Sequence, residues 1–127
     1  MKARVFPSTI TGNIVAPASK SSMQRACAAS LIRKGKTIIK NSGVSNDDLA
    51  ALDVISKLGA DVKDLRDTIV IESKGVYPAE HDINCGESGL GIRMFTPIAA
   101  VSDKRLLVSG VGSLVSRPMH FFDEIFP

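Results

Sequence analysis

The segment from Ser19 to Arg25 holds residue types that could bind an anion. Its sequence, SKSSMQR, places a lysine, several serines and an arginine around the predicted start of a helix. Unpaired backbone N–H groups and the positive end of the helix dipole gather at such a position, which favours a phosphate or carboxylate. Ser21 and Arg25 are four residues apart and share a helix face, with Lys20 beside them. A plain serine N-cap followed by solvated basic residues is the alternative, and this segment alone leaves both open.

A glycine-rich loop is the second candidate site. Residues 86–93 read GESGLGIR and lead directly into a predicted helix. Glycines allow positive φ and let backbone N–H groups approach a ligand closely. The spacing is neither that of a Walker A loop nor that of a dinucleotide fingerprint. A tight turn without a ligand therefore remains the competing interpretation of this loop.

An arginine near the end of the chain adds a further anion-binding group. Arg117 lies between a glycine-containing loop, residues 110–116, and Pro118. A guanidinium group binds carboxylate or phosphate through two parallel hydrogen bonds, although an exposed loop arginine is the simpler interpretation of this residue alone. Four cations nevertheless stand at a helix start or a loop edge: Lys20, Arg25, Arg93 and Arg117. Their recurrence predicts a site for one or two anionic substrates.

The composition is that of a globular domain with an aliphatic core. Of the 127 residues, 44% are hydrophobic, 23% are charged and only 5% are aromatic. The net charge of +3 comes without a basic run or interleaved aromatics, which argues against nucleic acid. No apolar run reaches membrane-spanning length, and Cys27 and Cys85 have neither a CxxC motif nor a histidine cluster. We therefore expect no membrane contact, no metal and a cytoplasmic protein with reduced thiols.

Strands and helices alternate along the chain, which predicts an α/β fold. The first unit has the order β-α-β-α-β-β, with extended segments at 3–6 and 12–15, a helix at 21–34, a strand at 37–40, a helix from Ser45 to Gly59, and strands at 60–65 and 68–72. A second, incomplete unit follows, with a strand at 83–85, a glycine loop at 86–91, a helix at 92–100, a strand at 105–109, a loop at 110–116 and a helix at 118–125. Pro97 should kink the helix at 92–100 or limit its length.

Motifs in several parts of the chain resemble those of one enzyme family. Residues 16–26, APASKSSMQRA, are similar to the PGSKSxxxRA signature of 3-phosphoshikimate 1-carboxyvinyltransferase, or EPSP synthase. Residues 86–93 resemble the GNAGTAxR loop of that family, and residues 116–119 resemble its RPM segment. Residues 46–48 and 58–60 fall where the family has an acidic helix start and an LGA turn. The matches occur in the family's order from about residue 10 onward.

The resemblance implies a transferase reaction and a set of site residues. Such enzymes transfer the enolpyruvyl group of phosphoenolpyruvate to the 5-hydroxyl of shikimate 3-phosphate and release phosphate, in the biosynthesis of aromatic amino acids, without a cofactor. The residues implied to bind shikimate 3-phosphate are Lys20, Ser21 and Arg25. Those implied to bind phosphoenolpyruvate are Lys20, Gly89, Arg93 and Arg117. Two polyanionic substrates held side by side need several cations, which agrees with the pattern of charges.

Glu87 and Leu90 depart from the family's pattern. The family usually has asparagine and threonine at these two positions of the glycine loop. A carboxylate at Glu87 is unfavourable beside an anion site unless it pairs with an arginine or points away from the ligand.

The length of the chain also departs from the family. Its members are far longer, with two domains of repeated β-α-β-α-β-β units and an active site between them. We therefore expect residues 1–127 to be an N-terminal part of that fold, an incomplete first domain whose residues 1–15 pack against the missing second domain. Catalytic acids and bases are expected beyond residue 127, so this fragment should be inactive alone, and an unpaired sheet edge allows a dimer. A non-catalytic phosphate-binding or assembly module derived from the family is the alternative.

Overall fold

Helices and strands are interspersed from Lys20 onward in the computed structural model, which describes residues 2–126 and leaves Met1 and Pro127 outside the described residues. The first half contains α1 (Lys20–Arg33), β1 (Gly35–Lys40), α2 (Asn46–Lys57), β2 (Asp61–Asp64) and β3 (Thr68–Ser73). The second half contains β4 (Asp82–Asn84), α3 (Gly89–Ala99), β5 (Leu107–Ser109), a 3₁₀ turn (Gly112–Leu114) and α4 (Phe121–Ile125). The predicted α/β class is confirmed. Among residues 2–126, no helix is both long and apolar enough to cross a membrane.

Serine side chains fix where the first two helices begin. The backbone N–H of Ser22 donates to Ser19 Oγ at 3.3 Å, so Ser19 is the N-cap of α1. Ser45 caps α2, and its own backbone N–H donates to Asp48 Oδ2 at 3.0 Å, which completes a capping box. The two predicted helix starts are therefore correct to within a residue, because each depends on contacts between near neighbours in the sequence.

The first three strands form an antiparallel sheet in the order β1-β3-β2. Along β3 the buried residues Ile69, Ile71 and Ser73 alternate with residues that are partly or fully exposed. This period of two is expected for a sheet covered on one face, and α1 packs on that face of β3. The hydroxyl of Ser73 donates to the carbonyl of Leu31 at 2.6 Å, which ties the end of α1 to the sheet.

A strand-helix-strand unit follows the sheet. β4 and β5 are parallel, with Ile83 opposite Val108, and α3 connects them. α3 ends two residues after Pro97, in agreement with the predicted limit on its length. The largest fully buried apolar side chains of residues 2–126 are aliphatic apart from Phe95, as the composition predicts: Phe95, Leu31, Ile55, Leu58, Ile69, Ile71, Ile83 and Val54. This core joins α1, α2 and α3 to the sheets and holds the three helices against one another.

The predicted strands at 3–6 and 12–15 are wrong. Residues 2–19 contain no helix or strand, and the side chains of Val5, Ile10 and Ile14 are about nine-tenths exposed. Their β-branched composition favours a strand, but a strand also needs a neighbour to satisfy its backbone, and none of residues 2–126 pairs with this segment. The first unit therefore has the order α-β-α-β-β.

The starts of two later helices differ from prediction by three residues each. The helix predicted from residue 92 begins at Gly89, because Ser88 caps it and draws two glycines of the supposed loop into the first turn. The helix predicted at 118–125 begins only at Phe121, and Pro118 lies outside it. Its first backbone hydrogen bond runs from Phe122 to the carbonyl of Met119, which leaves no helical turn in which Pro118 could take part.

Gly59, just after α2, provides a test of the packing between α2 and the segment before β4. Its φ is +107°, and a Cβ there would overlap the backbone carbonyl of Tyr77. Gly35 has φ +89° with open space around it, so it is a matched control with the same backbone strain. In urea unfolding we expect Gly35→Ala to cost about 1 kcal/mol and Gly59→Ala about 2–4 kcal/mol. Equal losses from the two substitutions would contradict this contact.

Candidate functional site

A cavity of about 330 Å³ lies where three helices begin. The first turns of α1, α2 and α3 meet there, and the loop after β5 closes the remaining side. Each helix start brings unpaired N–H groups and a partial positive charge, so their convergence favours an anion. The residues that line the cavity are Lys20, Asp47, Glu87, Ser88, Gly89, Leu90, Ser113 and Arg117.

Lys20, the first residue of α1, is held by a carboxylate of α2. Its Nζ lies 2.9 Å from Asp47 Oδ2, with the lysine side chain about half exposed and the aspartate side chain mostly buried. A pair that reaches solvent is worth at most about 1 kcal/mol, so an incoming anion can compete for the ammonium group. From the sequence, Asp47 was expected only as an acid favourable to the helix dipole; its pairing with Lys20 crosses between two helices and was missed.

Gly89 brings two guanidinium groups against the start of α3. A Cβ at this position would overlap Arg117 Nη1 and lie 3.0 Å from Arg93 Nη1, so glycine lets both guanidinium groups occupy these positions, and any larger residue would displace them. Arg93 donates to the Gly89 carbonyl at 3.1 Å and lies 5.8 Å from the centre of the Phe121 ring. Arg117 donates to Ser113 Oγ at 3.3 Å. Three residues predicted to bind one ligand are thus adjacent in space.

Ser21 and Arg25 lie outside the cavity lining, on the neighbouring part of α1. The Arg25 guanidinium donates to the Ser21 carbonyl at 3.2 Å, which shows the shared helix face that their spacing predicts. Arg25 is exposed and Ser21 is half-buried. The predicted residues therefore form two groups. Lys20, Gly89 and Arg117 line the cavity, and Arg93 contacts Gly89. Ser21 and Arg25 follow Lys20 along α1. Their roles toward a ligand remain predictions.

Glu87 uses its carboxylate to hold the loop after β5. Its Oε2 accepts a hydrogen bond from the backbone N–H of Ser113 at 3.0 Å. Hydrogen bonds from Ser113 lower the pKa of Glu87 below its usual value, and the charge of Arg117 acts in the same direction. A Cβ at Gly112 would overlap this carboxylate, so glycine is required there as well. Among residues 2–126 no ion pair joins Glu87 to an arginine; the loop backbone satisfies it instead.

Other groups with chemical potential are placed away from this cavity. His81 Nδ1 lies 3.1 Å from the carbonyl of Arg105 and is exposed. Cys27 and Cys85 are free thiols, and burial raises the pKa of Cys27 to about 12 and that of Cys85 to about 11. Both thiols therefore stay protonated and weakly nucleophilic at neutral pH. Within residues 2–126, no cluster of three or more histidine, cysteine, aspartate or glutamate side chains could hold a metal ion.

A larger cavity, of about 680 Å³, lies beyond the C-terminal end of α1. Its walls are mostly apolar and include Ile32, Val76, Tyr77 and Ile98. The ammonium group of Lys104, which also lines it, donates to the carbonyl of Pro78 at 2.7 Å. Such walls do not suit a phosphate or carboxylate, so the smaller cavity is the candidate anion site despite its size.

Comparison with known sequences matches the chain to a single enzyme family. Residues 6–123 match the model of the family described as EPSP synthase (3-phosphoshikimate 1-carboxyvinyltransferase). A 3-phosphoshikimate 1-carboxyvinyltransferase of Clostridium perfringens is 32% identical over 127 residues, which cover 98% of this chain and 30% of the relative. One of Methanocorpusculum labreanum is 37% identical over 122 residues, covering 94% and 29% respectively. The chain spans about 30% of the length of these curated relatives.

Comparison with solved structures supports the same fold. The EPSP synthase from Acinetobacter baumannii superposes on 89% of this chain with a TM-score of 0.75. The matched part is 27% of the Acinetobacter chain, and the sequence identity is 23%. At this identity the superposition shows that the fold is shared.

Replacing Asp47 tests whether Lys20 is available to an anion. Asp47→Asn releases the ammonium group and removes one negative charge from the cavity wall. We expect it to strengthen binding of inorganic phosphate by up to about fivefold in a ³¹P NMR titration. Asp61→Asn is the control, because Asp61 pairs with Lys63 at 3.5 Å on β2 and does not line the cavity. Weaker phosphate binding by Asp47→Asn would contradict this description of the site.

Glu87 should give the stability a dependence on pH. A carboxyl group whose pKa is lower in the folded state stabilises the fold above its unfolded pKa, and this stabilisation is lost as the pH falls through its folded pKa. In urea unfolding, Glu87→Gln should therefore be less stable than the parent protein at about pH 7, and the difference should shrink as the pH falls below 4.5. Glu124→Gln, an exposed position in α4, serves as the control. If Glu87→Gln lowers the free energy of unfolding by the same amount at about pH 7 and below pH 4.5, this role is ruled out.

Proposed function

The chain belongs to the EPSP synthase family, and we propose on that premise that it binds the two substrates of enolpyruvyl transfer. In this reaction the enolpyruvyl group of phosphoenolpyruvate passes to the 5-hydroxyl of shikimate 3-phosphate, and inorganic phosphate leaves. The motif resemblance and the α/β fold of the family are confirmed by the comparisons. The function that we propose is therefore that of a transferase of the shikimate pathway, in the biosynthesis of aromatic amino acids.

The observation that carries the proposal is the convergence of three helix starts on Lys20 and Arg117. Both substrates are polyanions, so bringing them together costs electrostatic free energy that the site has to offset. Three helix N-termini and two cationic side chains supply fixed positive potential in a cavity of about 330 Å³. Because the fold fixes the helix N-termini before the ligand arrives, Lys20 is the group that changes partner on binding, and charge in the tetrahedral intermediate develops against groups already in place.

The phosphoenolpyruvate site in this proposal consists of Lys20, Gly89, Arg93 and Arg117. Gly89 supplies backbone at the start of α3, where N–H groups lack partners inside the helix. The two guanidinium groups in contact with Gly89 can each hold a carboxylate or phosphate through paired hydrogen bonds. This arrangement orients the enolpyruvyl carbon by fixing both anionic ends of the molecule.

The shikimate 3-phosphate site in this proposal consists of Lys20, Ser21 and Arg25 on the first turns of α1. Lys20 stands between the two groups of residues and would contact both substrates. Its ammonium group exchanges Asp47 for substrate oxygens on binding. The exchange replaces one charge-assisted hydrogen bond with others, so its net electrostatic cost is small.

We propose that the 127 residues alone bind without turnover. They span about 30% of the length of the relatives, and acid–base groups for the reaction are proposed to come from outside residues 1–127. The exposed segment at 2–15 is proposed to pack against a second domain of the family's fold, and a free edge of the two-stranded β4-β5 sheet to allow a dimer. The two buried thiols are compatible with a reducing, cytoplasmic location.

Substitution of Lys20 tests the proposed substrate contacts. We expect ³¹P NMR to show a shifted or broadened signal when shikimate 3-phosphate is added to the chain, and again when phosphoenolpyruvate follows. Lys20→Ala should weaken binding of each by at least about tenfold, because a charge-assisted hydrogen bond is lost. Lys63→Ala is the matched control, since this lysine pairs with Asp61 on β2, outside the cavity lining.

The outcomes separate the proposal from its alternatives. Unchanged binding of shikimate 3-phosphate by Lys20→Ala would refute the site assignment. Inorganic phosphate appearing in the mixture would contradict the absence of turnover. Equal affinity for both substrates and for inorganic phosphate would instead support a non-catalytic phosphate-binding module.

A further inference from the structure

A buried hydrogen-bonded pair links α1 to the start of α3. The side chains of Gln24 and Ser88 are 1% and 3% exposed. Ser88 Oγ donates to Gln24 Oε1 at 2.7 Å and accepts from the backbone N–H of Gly91 at 2.9 Å. The two side chains are 64 residues apart in sequence. One hydroxyl therefore caps a helix and ties that helix to another.

The pair adjoins the candidate cavity, which Ser88 itself lines. Gln24 follows Lys20 by one helical turn on α1, and Ser88 immediately precedes Gly89. The hydrogen bond therefore connects α1, which carries Lys20, to the start of α3, which carries Gly89. Because a serine hydroxyl has a single proton, donating it to Gln24 fixes the rotation of the hydroxyl and aims its lone pairs at Gly91.

The packing around this pair leaves little freedom. A Cβ at Gly91 would lie 3.0 Å from Ser88 Cβ and 3.1 Å from Ser88 Oγ, so glycine leaves room for the Ser88 cap, while Gln24 Oε1 lies 3.6 Å from the same position, at ordinary contact distance. Gln24 is a polar residue among buried neighbours on α1 that are mainly apolar: Met23, Cys27, Ala28 and Leu31. A buried amide costs free energy unless it is hydrogen-bonded, so its contact with Ser88 disfavours other positions of α3.

We propose that Gln24 and Ser88 are positioning residues that set the separation of Lys20 and Gly89, and with it the width of the anion cavity. The inference rests on the proposed function, in which these two groups hold one phosphoenolpyruvate molecule. The proposed shikimate 3-phosphate contacts, by contrast, all lie on α1. Loss of the link should therefore affect the two ligands unequally.

The first test uses the unliganded chain and needs no substrate. Gln24→Met keeps an unbranched side chain but removes the acceptor, and Ser88→Ala removes the hydroxyl. In ¹H–¹⁵N spectra, each should shift amide signals on the opposite helix: residues 89–91 for Gln24→Met and residues 20–22 for Ser88→Ala. Ser30→Ala is the control, because the buried Ser30 hydroxyl donates within α1, to the Ala26 carbonyl at 2.6 Å.

Binding and stability measurements complete the test. Gln24→Met and Ser88→Ala should each weaken phosphoenolpyruvate binding by about tenfold and leave shikimate 3-phosphate binding within about twofold. In urea unfolding, the double substitution should be less destabilising than the sum of the two, by about fivefold in the unfolding equilibrium constant. Ser30→Ala should lower stability without changing the ratio of the two affinities.

The outcomes distinguish this inference from the proposed function. Amide shifts confined to the substituted helix, or additive stability effects, would overturn the positioning role. Equal losses of affinity for both ligands would overturn it as well. If the unsubstituted chain binds neither substrate, the proposed function fails, whereas the amide shifts and the stability coupling still decide whether the pair sets the helix separation. If Gln24→Met does not fold, the amide shifts on α1 and the ratio of the two affinities in Ser88→Ala still decide the question.

Discussion

Three helices of this protein begin at one place, and the rest of the site follows from that electrostatic constraint. The starts of α1, α2 and α3 each carry a partial positive charge, and Lys20 and Arg117 add two full charges beside them. Without a ligand, Asp47 and Glu87 offset this repulsion from the same cavity wall. The two carboxylates therefore have different roles. Asp47 neutralises Lys20, and Glu87 holds the loop that precedes Arg117.

Serine and glycine residues determine where the three helices begin and how closely side chains approach the start of α3. Ser19, Ser45 and Ser88 cap the three helices, so each start is fixed by a short-range contact. Gly89 then lets the Arg117 side chain approach the backbone of α3 more closely than a Cβ would permit, and Gly91 leaves room for the Ser88 cap. Behind them the shared aliphatic core keeps the helices from sliding, because each buries its apolar face in the same cluster.

Much of this fold is predictable from the sequence wherever the determining contacts are local. Helix caps depend on residues three apart, and the starts at Ser19 and Ser45 were predicted nearly to the residue. The segments at 3–6 and 12–15 have strand-like composition but lack a paired neighbour in residues 2–126, and composition cannot supply that information. The four cations and the glycine loop were visible as candidates. The pairing of Lys20 with Asp47 and the loop contact of Glu87 depend on residues brought together from distant parts of the chain.

The two thiols have a consequence for how motions of this protein can be observed. Cys27 lies inside α1 and Cys85 just before the start of α3, both buried and both protonated at neutral pH. An alkylating reagent can reach either sulfur only when the surrounding packing opens, so the rate of labelling reports that opening. The sequence thus carries two internal reporters, one within α1 and one in the segment between β4 and α3. Their relative rates of labelling would show whether these two parts of the core open independently or as one cooperative unit.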